Sequence, residues 1–580
     1  MFGHGELRIC GYDAPTRKRG DAAIVVPLAP VYKPVMRTPY FVAAAIAAVA
    51  VIHIHAQQPA APPAPAARPV DAKAEARLGT LKAEGAAGVE DLHDFTQKMV
   101  DSVFSFGELG FQEIETSRYL TNILRQQGFT IEQGISGIPT AWMATWGSGK
   151  PVISLGSDID GIPTGSQKPG VAYNDPFFEG GPGHGEGHNS GMPLNITAAI
   201  VLKKIMQREK IPGTIKLWPG VAEELLATKA YYVRDGYFKD TDVVIFTHIG
   251  SNWGVNWGDG TSNGLVSVEY TFKGESAHSA GAPWRGRSAL DAAMLMDIGW
   301  NYRREHLRIQ QRSHSVITFG GNQPNVVPPS ASIWYYFRET DYPNIKRMWE
   351  IGDNMAKAAS LMTDTTMTSR VLGSAWPQHM NKVVAETAYA NIVKVGMPKW
   401  TDADQALAKA VQKELGVEEK GLPTEVPKLN GRVVVPDDEK RGGGSDDIGD
   451  VSWVVPTITL RYPANIEAGP GHNWANAIAM ATPIAHKGVT AAAQVQVMTV
   501  LDLLMKPELI EQSWDYFRNV QSKDKKYTPL IRPEDKPAIW LNQDTMAKYR
   551  DQMKKYYYDP TKYPTYLEQL GIKYPTVRTQ

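Results

Sequence analysis

Across 580 residues the sequence has one cysteine, Cys10. It lies in a segment expected to be missing from the mature chain, so disulfide bonds and thiol catalysis drop out. Stability must come from a packed core, which a chain of this length can supply. There is no surplus of charge either: 61 Lys and Arg balance 61 Asp and Glu. An overall basic field for nucleic acid or an anionic membrane is therefore absent. Gly442-Gly443-Gly444-Ser445 looks like a phosphate loop but lacks the lysine and spacing of one. No internal repeat is visible. What remains is an ordinary globular composition, 43% hydrophobic and 21% charged.

The N-terminal region reads as a targeting signal. Met36 and Arg37 open a short basic start, Tyr40 to Ile52 is apolar, and Ile54-His55-Ala56 has the small-residue form of a cleavage site. The apolar run is too short to span a bilayer comfortably. The expectation is a signal peptide at 36–56, an upstream mis-read start at 1–35, and export to the periplasm or beyond, with no membrane span in the mature form. A Pro/Ala linker is expected at 57–85, its core being Gln58 to Ala67.

From about residue 86 helical patterns alternate with apolar runs. Val152–Leu155, Thr214–Trp218 and Val243–Thr247 read as buried strands, and Asn195–Arg208 as a helix. This rhythm predicts an α/β fold with a mostly parallel sheet and helices on both faces. At 263–380 the order becomes β-α-β-β-α-β, which predicts an inserted α+β domain with an antiparallel sheet. The first domain spans 86–262 and resumes at 381–505. The Tyr-, Lys- and Pro-rich segment 506–580 reads as an extension on the surface.

Four segments carry residues suited to metal chemistry. Gly183-His-Gly-Glu186-Gly-His188-Asn189 alternates glycine with potential ligands, so the backbone can approach an ion closely. Glu223 and Glu224 follow one buried strand and His248 ends another, and sites in open α/β sheets form at such strand ends. His472 sits between glycine and asparagine in Gly469-Pro-Gly-His-Asn473. Three His and two Glu suffice for two ions, leaving one carboxylate free to move protons.

Together with Leu155-Gly-Ser-Asp-Ile-Asp160-Gly-Ile-Pro163, Ser276-Ala-His278, Asn325-Val-Val-Pro-Pro329 and Gly444-Ser-Asp-Asp-Ile-Gly-Asp450, these motifs resemble the M20 metallopeptidase and amidohydrolase family, in particular its aminobenzoyl-glutamate hydrolase branch. The resemblance runs from about Phe95 to Leu504. It implies a zinc-exopeptidase-like catalytic domain with a lid and dimerisation domain, and two divalent ions, Mn or Zn. It makes His188, Glu224, His248 and His472 metal ligands, Glu223 the general base, and Asp160 a residue that orients a ligand. His278, on the lid and in relatives often supplied by the dimer partner, would polarise the substrate carbonyl. Asn325 and Arg338 would hold substrate. Glu186 stands where this branch usually has Cys. It keeps an anionic bridging ligand but exchanges soft sulfur for hard oxygen, favouring Mn or Mg over thiophilic ions, with Zn still compatible.

The expected activity is hydrolysis of an amide bond in an N-acyl amino acid, aminobenzoyl-glutamate-like, or in a small peptide, by metal-activated water with Glu223 as base. The competing readings are a dipeptidase or carboxypeptidase of the same fold and a non-catalytic lid-cleft binding protein. A homodimer through the lid is expected, with a hetero-oligomer as the other assembly, and no nucleic-acid partner. Trp253, Trp257 and Trp284 lie near the motifs and are candidates for an aromatic acyl pocket, against the plainer role of core residues.

Overall fold

The computed structural model describes residues 71–578, apart from Thr261, Asp437, Asp438 and Arg441. The expected signal peptide and the proline-rich part of the linker lie outside the described residues.

The first described element is a helix, α1 (Ala72–Glu90), so the stretch assigned to linker at 72–85 is corrected. Asp71 caps it by accepting from the backbone N–H of Lys73 and Ala74. Leu78, Leu81, Gly85 and Val89 fall on one buried face. The alanines that blend this stretch into the linker by composition are also the best helix formers.

Helices α2 (His93–Phe106) and α3 (Ile114–Gln126) lead into strands β1 (Thr130–Gln133), β2 (Trp142–Ser148) and β3 (Val152–Asp158). Then follow α4 (Gly191–Glu209), β4 (Gly213–Gly220), α5 (Lys229–Asp235), β5 (Val243–Gly250) and β6 (Asn256–Asp259). The six-stranded sheet has the order β1-β2-β4-β3-β5-β13, closed by β13 (Thr457–Pro463). Strands β4, β3, β5 and β13 run parallel, and β2 is antiparallel to both its neighbours. Residue alternation on β5 shows that both faces are covered. Thr247 Oγ1 accepts a hydrogen bond from Asn195 of α4, and Phe246 packs on the other side against Trp218 and Lys229 of α5.

The lid comprises β7 (Gly264–Lys273), α6 (Ala289–Arg303), β8 (Arg312–Phe319), β9 (Ser330–Glu339), α7 (Tyr342–Thr363) and β10 (Thr366–Ala375). Its sheet order is β10-β7-β9-β8, antiparallel throughout. It has its own core around Tyr270, Trp300, Tyr335 and Phe337. The β-α-β-β-α-β order read from the sequence is the one found.

The chain returns through β11 (His379–Met380), α8 (Lys382–Val395), α9 (Asp402–Glu414), β12 (Asn430–Arg432) and α10 (Ile448–Ser452). β11 and β12 flank β6 in a small three-stranded sheet that the sequence does not announce. After β13 come α11 (Trp474–Ala477) and α12 (Pro483–Met505). α12 is long and apolar enough to cross a membrane by composition, yet 83% of its apolar window is buried against the catalytic domain.

The C-terminal extension is not confined to the surface. It carries α13 (Pro507–Tyr516), α14 (Gln543–Met553) and α15 (Tyr566–Gln569). Leu530 and Ile531 join the lid core, and Tyr566 is fully buried in the catalytic core. Arg550 hydrogen-bonds the buried Glu108, and Trp376 Nε1 donates to the Thr528 carbonyl at 2.7 Å. Tyrosines make such a segment look polar, but each can bury its ring while its hydroxyl finds a partner.

Candidate metal centre

The parallel strands deliver the site at their carboxyl ends. Asp158 ends β3 with Asp160 two residues beyond, Glu223 and Glu224 follow β4, His248 lies near the end of β5, and His472 follows β13. Glu186 and His188 come from the loop before α4. Gly187 between them adopts φ +79°, and a Cβ there would strike Met480 and Ile249. Three non-glycine residues of the site loops also have positive φ: Ala222 (+53°), Leu226 (+51°) and His472 (+41°). Such backbone persists only where neighbours fix it. Here the N–H of Ala222 donates to the Glu113 carboxylate at 2.9 Å.

Glu186 lies at the middle of the cluster. Its Oε1 is 2.9 Å from His472 Nε2, and its Oε2 is 3.8 Å from the Nε2 atoms of both His188 and His248. Glu224 Oε2 is 3.4 Å from His472 Nε2 and its Oε1 3.8 Å from His188 Nδ1. His188 Nε2 and His248 Nε2 are 3.3 Å apart. Two nitrogens bound tetrahedrally to one zinc at about 2.0–2.1 Å stand at about that spacing. Glu186, His188, Glu223 and Glu224 also form a group whose donor atoms all lie within 4.8 Å of one another. Glu224 Oε1 and Asp158 Oδ2 are buried without a hydrogen-bond partner. A dense set of buried oxygens and imidazoles with atoms left unpaired is the donor set a divalent cation needs.

Asp160 is fully buried behind these groups. Its Oδ2 accepts from the backbone N–H of Glu224 at 3.1 Å, and its Oδ1 is 3.4 Å from His188 Nδ1. It thus holds Glu224 by its backbone and stands beside the His188 ring, where a carboxylate can orient a metal-binding histidine. His248 Nδ1 lies 2.9 Å from both the Ile249 carbonyl and Arg461 Nη1.

The electrostatics reflect crowding of acids. Burial pushes Glu223 well above the carboxylate range, and the charges of Asp158 and Asp446 add to it. Burial likewise lifts Glu224 to about 8. For Glu186 burial acts upward, but the His472 hydrogen bond and the nearby imidazoles prevail and hold it at about 2. Burial also opposes the charge on His188; Asp160, Asp158 and Glu224 outweigh it and raise that ring to about 10. The Glu186 hydrogen bond raises His472 to about 8.

Sequence reasoning gave no role to the buried ion cluster beneath. The Lys229 Nζ is fully buried, 2.7 Å from Asp158 Oδ1, hydrogen-bonded to Asp447 and 3.6 Å from Asp446. Asp447 Oδ2 accepts the N–H of Thr228 and Lys229, tying the loop after Glu224 to α10. The aspartates lie in the sequence motifs, but nothing marks Lys229. His184, within the same glycine-rich segment, faces away and hydrogen-bonds the Val103 carbonyl. Ser262 sits in a G-x-S-x-G pattern, yet it precedes strand β7 instead of a helix and so is no nucleophile elbow.

Comparison with known proteins agrees with the fold. A model described as the peptidase dimerisation domain of the M20 type matches residues 261–360. Over 452 residues the chain is 29% identical to one of the subunits of the p-aminobenzoyl-glutamate hydrolase of Escherichia coli (strain K12), covering 74% of this chain and 94% of that protein. The chain is thus similar to M20 hydrolases along most of its length. It is also 25% identical over 448 residues to the Xaa-Arg dipeptidase of Mus musculus, covering 75% and 92%. Among solved structures, a candidate aminohydrolase of methicillin resistant Staphylococcus aureus superposes with a TM-score of 0.51 at 16% identity, covering 73% of this chain and all of that one.

The lid residues of this chain divide. Arg338 lines the metal cavity beside Glu223, its guanidinium 5.2 Å from the Tyr336 ring. His278 and Asn325 do not line it. They are exposed together on the lid, where His278 bridges Val326 and the Asn325 carbonyl accepts from Ser279. The three tryptophans do not form one pocket. Trp253 is core, Trp284 is 72% exposed on the lid, and Trp257 lines a cavity next to the metal site.

Proposed function

We propose that this chain is a hydrolase of the M20 kind that cleaves the amide bond of an N-acyl amino acid, of the aminobenzoyl-glutamate kind, or of a small peptide, with two divalent ions, Mn or Zn, in its site. The observation that carries this is the division of Glu186, one oxygen toward His472 and the other toward His188 and His248. A carboxylate able to bridge two ions would let glutamate serve at a position where the aminobenzoyl-glutamate hydrolase branch usually has cysteine. Glu186, His188, Glu224, His248 and His472 would hold the ions. When bound, they acidify water and polarise the carbonyl.

Glu223 takes the proton from the attacking water and hands it to the leaving amine. Arg338 receives the substrate carboxylate, for which a guanidinium fork is well shaped. His278 reaches the carbonyl oxygen from the lid of a second copy, which accounts for its exposure away from its own site. A homodimer through the lid is supported by the exposed Val316, Ile317 and Phe319 on edge strand β8 and by Met294, Ile298 and Tyr302 on α6. That the Escherichia coli relative is itself named as a subunit keeps a hetero-oligomer as the other assembly. Export is proposed on the signal-like segment at 36–56 alone.

The test is hydrolysis of N-acyl amino acids and dipeptides by the chain from Gln57 onward with added Mn or Zn. Wild type should turn over at least one of these. Glu223→Gln should lose about 10²–10⁴ in kcat while keeping its metal. Bound metal without turnover of any of them would favour the non-catalytic lid-cleft protein.

A further inference from the structure

Beside the metal cavity, of about 470 Å³, lies a second of about 440 Å³, and Ser262, Gln378 and Arg461 line both. The second is an open, polar cleft on the small sheet, with Asn256, Asn430 and Thr459 in its walls.

Most charges around the two cavities are already matched. Arg432 pairs with Glu439, and the buried Asp259 lies 3.4 Å from Lys440 and 3.9 Å from Lys525. The Lys382 ammonium, 5.4 Å from the centre of the Trp257 ring, pairs with Glu386 at 2.7 Å. On the metal side the acids face imidazoles and the Lys229 ammonium. Two guanidinium groups differ. Among the described residues no carboxylate lies within ion-pairing distance of Arg338 or Arg461.

Arg461 is built into its place. It lies opposite His248 in the parallel β5–β13 register, and its backbone exchanges hydrogen bonds with Gly254 at 2.7 and 3.0 Å. Its Nη1 donates to the Ile249 carbonyl at 3.2 Å and stands 2.9 Å from His248 Nδ1. The residue is otherwise exposed, facing both cavities. In the same walls the buried Oγ of Ser262 and Oγ1 of Thr459 have no hydrogen-bond partner. A fixed guanidinium without a counter-charge, with spare hydroxyls in the same wall, is a receptor for a carboxylate.

The two guanidinium groups flank the metal residues, Arg338 beside Glu223 and Arg461 beside His248. An amide with its amino-acid carboxylate on Arg338 and its carbonyl at the metal residues directs its acyl chain toward Arg461. We propose that Arg461 receives an anionic group at the far end of that chain, so that the preferred substrate is an N-acyl amino acid whose acyl group is itself a short dicarboxylic acid. This rests on the amide-hydrolase reading above and narrows it. An acyl group bearing an ammonium, as at the N-terminus of a peptide, is repelled by the same guanidinium.

The test compares kcat/KM for N-succinyl-leucine and N-butanoyl-leucine, whose acyl chains are equally long and end in a carboxylate or a methyl. The protein is the chain from Gln57 onward loaded with Mn. Wild type should favour the succinyl substrate by about tenfold or more, and Arg461→Gln should remove that preference. Arg461→Lys keeps the charge without the fork and should retain part of it. A role confined to orienting His248 lowers both substrates alike and leaves the ratio unmoved. In parallel, metal-free protein is titrated with succinate by calorimetry, and saturable binding, weakened about tenfold in Arg461→Gln, is expected. Should Arg461→Gln fail to fold, the wild-type ratio and Arg461→Lys still decide. Turnover of both substrates without a succinyl preference, or with a preference unmoved in the variants, overturns the proposal and leaves the hydrolase standing. Turnover of neither overturns the hydrolase reading, and the succinate titration then decides the anion site alone: binding that is absent, or unmoved in Arg461→Gln, overturns it.

Discussion

Replacing Lys229 by methionine removes one charge from the base of the metal centre while nearly preserving volume. The ammonium is completely buried and faces Asp158, Asp446 and Asp447. Without it, three buried carboxylates share a space with no cation, and at least one must take up a proton. Holding a carboxylic acid neutral at pH 7, against an unfolded value near 3.9, costs about 4 kcal/mol. That lies within the ~3–5 kcal/mol typical of breaking a buried pair. The sign with pH follows from the same groups. Burial pushes Asp446 upward but the Lys229 charge helps hold it below the ordinary value, so losing Lys229 leaves burial to raise it. An acid whose affinity for protons is higher in the fold than in the unfolded chain stabilises the fold below its unfolded pKa and loses that benefit as pH rises. The deficit of Lys229→Met should therefore be about 4 kcal/mol at pH 7 and shrink to about 1–2 kcal/mol at pH 5. Urea unfolding of the metal-free protein at both values measures it. A deficit that is the same at pH 5 and 7 would mean that packing, and not charge, is what Lys229 provides.

Tyr566→Ala removes a fully buried ring from the C-terminal extension and should cost about 3–5 kcal/mol in denaturant unfolding. A surface extension would lose almost nothing. Burial depresses His379 to about 3 in the fold, so between about 6.5 and 3 the unfolded chain binds the extra proton. Its contribution is present at neutral pH and lost as pH falls through that window, and His379→Gln should flatten the acid side of the stability profile. His278→Ala mixed with Glu223→Gln should regain about a quarter of wild-type activity if His278 serves the site of its dimer partner, since one site per mixed dimer is then intact. Each variant alone should stay inactive, and a mixture equally inactive would place His278 in its own protomer's site.

The strands were legible because parallel strands buried on both faces must be continuous apolar runs, as in Val243–Thr247. The lid was legible because β9 alternates half-exposed and buried residues throughout, and β7 does so over its second half. Glu186, His188, Glu224, His248 and His472 could be named because they sit in glycine-rich or strand-end contexts, and the fold does bring them together. What local pattern could not carry was association over long sequence distances. Lys229 is an unremarked lysine at a helix start until Asp447, 218 residues later, closes on it. The extension looks solvated until the Tyr566 N–H donates to the Asp101 carboxylate, 465 residues before it. In α1 the Leu78, Leu81 and Val89 spacing was present, but alanine-rich composition hid it beside the Pro/Ala linker.

Elemental analysis tests directly the proposed role of Glu186 between His472 on one side and His188 and His248 on the other. Wild-type chain from Gln57 onward, equilibrated with Mn or Zn and desalted, should retain close to two ions, and Glu186→Ala clearly fewer. Failure of the wild-type chain to take up any ion, or an unchanged metal content in Glu186→Ala, would contradict it.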